Sequence, residues 1–198
     1  MTFGLRAVLA WFAVFFLASC GNTANPTFLS TDITDASFGR ELKLPGPTGE
    51  ARTLADFKGK VIAVFFGYTQ RPDICPATMS KLTGAVQKLG ADAARVQVSF
   101  VTLDPEHDTP SVLREYLSAF NPAFIGLSGD TEATREVANE FKIVYQKVVG
   151  DSPGHEIMEH SAGTYLFDPQ GRLRLYVSGE KGEDVFAHDI ARLLKAAG

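Results

Sequence analysis

The chain has 198 residues, of which 45% are hydrophobic, 21% charged and 11% aromatic, with two cysteines and a formal charge of -4. That length suits one domain able to bury a core without covalent staples. The apolar fraction excludes a disordered chain, two cysteines exclude a disulfide scaffold, and the acidic balance argues against a nucleic-acid partner.

Ala7 to Leu17 is an unbroken apolar run preceded by Arg6. It is shorter than the roughly 20 residues a membrane-spanning helix needs. Its charged start and the small residues after it read as a secretory signal. Leu17-Ala18-Ser19-Cys20-Gly21 resembles the bacterial lipobox. That resemblance implies that residues 1–19 are a removed signal peptide and that Cys20 is lipidated; an ordinary signal peptide with an incidental Cys20 is the alternative. Diacyl or triacyl anchoring is stable, so the domain is expected at a membrane of the bacterial cell envelope, facing the periplasm or another extracytoplasmic space. Residues 20–37 read as the lipidated N-terminus and tether, and residues 38–198 as one domain.

Glu41–Leu44 and the segment around Arg52 predict a hairpin over Pro45-Gly46-Pro47-Thr48-Gly49. Val61–Phe66 is a continuous β-branched and aromatic run, the pattern of a strand covered on both faces. Met79, Leu82, Val86 and Leu89 fall at helical spacing after Pro76. Val96–Leu103 reads as a strand. A second helix follows, with Thr109 as N-cap, Pro110 at its first position and an apolar face from Val112 to Phe120. Asp130 caps a third helix that runs to Phe141. Tyr165–Phe167 and Leu173–Val177 form a hairpin around Asp168-Pro169-Gln170-Gly171, and Glu183–Ala196 is a final helix. Alternating strand and helix with this ending predicts an α/β, thioredoxin-like sandwich: a central mixed sheet flanked by helices. A doubly wound nucleotide fold competes, but no glycine-rich phosphate loop follows any strand.

The loop Gly67-Tyr68-Thr69-Gln70-Arg71-Pro72-Asp73-Ile74-Cys75-Pro76 leaves the central strand, and in open α/β sheets the ligand site lies off such strand ends. With Pro76 at the first helical position, Cys75 sits at or near the N-cap, where the helix dipole favours a thiolate. An inert buried cysteine is the bland alternative. Asp73 and the acidic stretch Asp104–Asp108 fit turn and capping roles. His107 and His188 read as solvent-exposed, without function.

This loop resembles that of the Sco/SenC family, whose pattern is Gly-Tyr-Thr-x-Cys-Pro-Asp-x-Cys-Pro. Leu103-Asp104-Pro105-Glu106-His107-Asp108-Thr109-Pro110, Met158-Glu159-His160-Ser161-Ala162-Gly163 and Tyr165-Leu166-Phe167-Asp168-Pro169-Gln170-Gly171 are similar to three further family stretches. The resemblance implies a thioredoxin-fold, copper-binding assembly factor, a metallochaperone rather than an enzyme, that assists the dinuclear copper centre of cytochrome c oxidase. It implies Cys75 and His160 as metal ligands, with Cu(I) ahead of Cu(II). Its partner would be a cytochrome c oxidase subunit or another copper or thiol protein.

Arg71 stands where the family has its first cysteine. A guanidinium offers donors and no lone pair to a metal, so a modified and weakened site is expected. Met158 is the best additional ligand candidate; Met79 reads as core and His155 as a solvated loop residue. Two other readings stay open. Cys75 followed by proline, with Arg71 as thiolate stabiliser, also resembles a peroxiredoxin's reactive cysteine, although Pro72 stands where that family keeps a threonine and an external thiol would be required. A metal-free adaptor that keeps only the fold is the other.

Overall fold

The computed structural model describes residues 27–70, 73–149 and 156–196, with the backbone alone for 149 and 156–159. The leader, Cys20, Arg71, Pro72 and His155 lie outside this set, and so does the side chain of Met158. In chain order the strands are β1 (Thr31–Asp32), β2 (Lys43–Pro45), β3 (Ala51–Thr53), β4 (Val61–Gly67), β5 (Val96–Thr102), β6 (Ile125–Leu127), β7 (Tyr145–Val149), β8 (Glu156–His160), β9 (Gly163–Phe167) and β10 (Leu173–Ser178). The helices are α1 (Ile74–Lys88), α2 (Pro110–Ser118), α3 (Thr131–Glu140) and α4 (Glu183–Ala196).

Six strands form one mixed sheet in the order β1-β10-β9-β4-β5-β6. β4, β5 and β6 run parallel, while β9 and β10 complete the sheet antiparallel. β2–β3 and β7–β8 are separate two-stranded ribbons. Every residue of β4 is buried, and its alternation feeds two cores. Val61, Ala63 and Phe65 join Met79, Leu82, Leu113, Phe186 and Ile190 beneath α1, α2 and α4. Ile62, Val64 and Phe66 point the other way, to Leu44, Val137, Phe141, Tyr165 and Phe167 beneath α3. Each fully buried large apolar side chain contributes about 1.5–3 kcal/mol, so β4 is the member that neither layer can lose. The thioredoxin-like sandwich expected from the sequence is the architecture found.

Three local expectations need correction. Residues 20–37 read as the tether, yet Thr31 and Asp32 pair with Tyr176 and Leu175 at the sheet edge. Just before them, the amides of Leu29 and Ser30 donate to the fully buried carboxylate of Asp189 on α4. Polar composition hid this segment because backbone pairing supplies its order. Secondly, α1 begins two residues before Pro76: Asp73 is the N-cap and accepts from the Ile74 amide. Proline is tolerated there because first-turn amides have no intrahelical partner. Thirdly, His188 is about one-third exposed and its Nδ1 lies 2.9 Å from Asp189 Oδ1, so it is not simply solvated.

Candidate metal centre

The carboxyl ends of β4 and β5 converge with α1 and β8 to build the candidate site. β4 ends at Gly67, and α1 starts seven residues on, which places Cys75 in its first turn. The thiol is fully buried. It fits because position 67 has no side chain: a Cβ there would sit 2.9 Å from Cys75 Sγ and 2.8 Å from the Phe65 ring. The sequence reading missed this role of Gly67, although its place at the end of a buried strand was a signal of close approach.

His160 arrives from the far side. It is the last residue of β8, opposite Tyr145 of β7 in the ladder. Its Nδ1 lies 3.0 Å from the Ser161 carbonyl. A carbonyl only accepts, so Nδ1 carries a proton, and whenever the ring is neutral its lone pair is on Nε2. Nε2 lies 3.9 Å from Cys75 Sγ. The rings of Phe65 and Tyr68 meet the imidazole edge-on at 6.3 and 6.1 Å, so the wall around it is aromatic. The structure thus brings Cys75 and His160 together across 85 residues of chain.

The donor chemistry fits a soft cation. Thiolate and imidazole together suit Cu(I) and, less well, Cu(II). With metal–sulfur and metal–nitrogen bonds near 2.3 and 2.0 Å, as seen for zinc, one ion can touch both atoms across a gap of this size. Among the described residues no group of three or more histidines, cysteines and carboxylates is placed to hold a metal. Met79, fully buried in the core beneath α1, is the packing residue its helical spacing predicts.

Around this pair the loops are tied by carboxylates. Asp73 caps α1, as expected. Asp108 goes beyond the turn and capping roles expected of its stretch: its fully buried carboxylate accepts from the amide of Thr69, at 3.0 Å, and from its hydroxyl, at 2.5 Å, in the neighbouring loop. It also accepts from the Thr102 hydroxyl at 2.7 Å. Burial pushes the Asp108 carboxyl above the ordinary range, against the pull of these donors. Tyr116 on α2 is also raised, by burial and then by the negative charges of Cys75 and Asp108. His107 is half exposed, as expected, and its Nδ1 lies 2.9 Å from Asp104 Oδ2. Lys147 on β7 pairs with Glu106 at 3.1 Å, tying the β7–β8 ribbon to the loop after β5.

Comparison with known proteins agrees with this architecture. A sequence model of the SCO1/SenC family matches residues 30–195. An SCO2-like protein of Rickettsia felis is 37% identical over 139 residues, covering 70% of this chain and 68% of that one. The structure of Bradyrhizobium japonicum ScoI with copper bound is 34% identical, with a TM-score of 0.71 over 79% of this chain and 99% of that one. The solution structure of apo Sco1 from Thermus thermophilus is 40% identical, with a TM-score of 0.73 over 88% of this chain and 99% of that one.

Proposed function

The chain belongs to the SCO1/SenC family, and from that premise we propose that it binds copper as cargo and assists copper-centre assembly of cytochrome c oxidase. The observation that carries this reading is the approach of Cys75 Sγ to His160 Nε2 at 3.9 Å, with the imidazole lone pair on the nitrogen facing the thiol. The copper-bound relative supports it by likeness. The site is proposed as a modified one. Cys75 and His160 are its ligands, Arg71 replaces the first cysteine of the family pattern, Met158 is the candidate third donor, and Cu(I) is held more weakly than by two thiolates. Lipidation at Cys20 would fix the domain to a bacterial envelope membrane with its site outside the cytoplasm. A cytochrome c oxidase subunit, or another copper or thiol protein, would be the acceptor.

The test is a Cu(I) competition titration of the wild type, Cys75→Ala and Arg71→Cys. We expect one Cu(I) in the wild type, none at matched competitor in Cys75→Ala, and tighter binding in Arg71→Cys. Equal affinity in wild type and Cys75→Ala would rule the reading out.

A further inference from the structure

Asp108 has a larger part than turn chemistry. Its two carboxylate oxygens and its carbonyl collect the ends of three parallel strands. Thr69 follows β4 by two residues and gives both its amide and its hydroxyl to the carboxylate. Thr102 is the last residue of β5 and gives its hydroxyl. Ser128 directly follows β6, and its hydroxyl donates to the Asp108 carbonyl at 3.3 Å. Asp108 is itself fixed, because its amide donates to the Asp104 carbonyl at 2.9 Å and Thr109 beside it caps α2.

What Asp108 grips matters for the site. Thr69 is next to Tyr68, whose ring flanks His160, and two residues from Gly67, against which the Cys75 sulfur packs. The Gly67 carbonyl is in turn held by the Leu103 amide at 2.8 Å. The segment Gly67–Thr69 is therefore pinned at both ends to the loop after β5, and the Asp108 end of that pin is a carboxylate. We propose that Asp108 is a positioning residue: it holds Gly67–Thr69 against Cys75 and His160 and so sets access to the thiol. Its relevance to copper exchange rests on the proposed function. The positioning itself does not.

Asparagine can preserve this arrangement. Its amide oxygen in the Oδ2 place accepts from the Thr69 amide and the Thr102 hydroxyl, and its NH2 group in the Oδ1 place can donate to a reoriented Thr69 hydroxyl. Alanine or loss of the Thr69 hydroxyl cannot. The test is the rate at which a neutral alkylating reagent labels Cys75 in the copper-free full-length chain in mild detergent, with peptide mass mapping to count Cys20 separately. Asp108→Ala and Thr69→Val should label Cys75 at least tenfold faster than wild type, and the double variant no faster than the quicker single. Thr69→Ser and Asp108→Asn should stay within about threefold of wild type. Asp168→Ala, which removes the buried carboxylate that pairs with Arg172 and Arg174 at the other end of the sheet, controls for general loosening and should also stay within about threefold.

Wild-type rates in both Asp108→Ala and Thr69→Val would overturn the proposal. So would an Asp168→Ala rate that rises as much as theirs, or multiplied rates in the double variant. If Asp108→Ala fails to fold, Thr69→Val and Thr69→Ser decide the matter alone. A wild type that binds no Cu(I) yet follows these labelling rates would remove the copper reading and leave the positioning role standing.

Discussion

Two buried carboxylates sit at opposite ends of the same sheet and are satisfied in different ways. Asp168, 1% exposed, turns the chain between β9 and β10, near the amino end of β4. It accepts from the amides of Gln170 and Arg172 and pairs with the guanidinium groups of Arg172 at 2.8 Å and Arg174 at 3.2 Å. Asp108 has no exposure at all and is held by the Thr69 amide and two threonine hydroxyls, with no cation in contact among the described residues. The burial of Asp168 is matched by two guanidinium counter-charges, which offset the cost of desolvating a carboxylate. At the site end no described cation neutralises the charge, which is felt at Tyr116 together with that of Cys75.

The largest expected effect comes from removing the neutralised end. Asp168→Ala should lose about 2–4 kcal/mol in urea denaturation, the lower range for breaking a buried pair because Arg172 stays hydrated. Its Cu(I) affinity should not change. A large fall in affinity would show that the two ends are coupled and would break the comparison. Next is Gly67→Ala, whose new methyl meets the Cys75 sulfur and the Phe65 ring. Overpacking of this kind costs about 1–3 kcal/mol. Here Cu(I) affinity should fall as well, by about tenfold, because the sulfur must move.

The pH dependence of Asp108 sharpens the contrast further. Burial raises its folded-state value above 3.8. A raised acid contributes stability that is fully present below that unfolded value and is lost as pH rises through the folded one. Asp108→Asn, which keeps the shape and removes the charge, should therefore gain on wild type as the pH climbs from acid to neutral. Denaturation series at several pH values read this directly, and a stability of Asp108→Asn minus that of wild type that falls with rising pH would contradict it. The smallest effect is at Glu50, a half-buried carboxylate drawn down to about 2, chiefly by the Thr48 hydroxyl. Its contribution is present above 4.5 and fades as pH falls towards about 2. Glu50→Gln should flatten only that acid limb of the stability curve.

The sequence exposed those elements whose pattern is carried by side chains. The apolar run of β4, the spaced apolar face of α4 and the caps Thr109 and Asp130 were all legible, since each obeys a local rule. β6 was not. Its Ile-Gly-Leu carries a glycine that reads as a break, yet a Cβ at Gly126 would lie 2.6 Å from the Cβ of Leu113 on α2, so close packing asks for it. β1 and the Leu29–Ser30 contacts with Asp189 were hidden for a related reason: they are backbone pairings of polar residues, visible only once α4 and β10 are in place. At the site, Cys75 and His160 could be named from the family pattern, but Gly67 and Asp108 act through space, across loops that the sequence keeps apart.

The central claim is that one thiolate and one imidazole of this chain hold copper. The most direct measurement is X-ray absorption at the copper edge on the Cu(I)-loaded protein. Ligation by Cys75 and His160 predicts a sulfur scatterer that disappears in Cys75→Ala and imidazole scattering that disappears in His160→Ala. Copper spectra that are the same in all three proteins would contradict it.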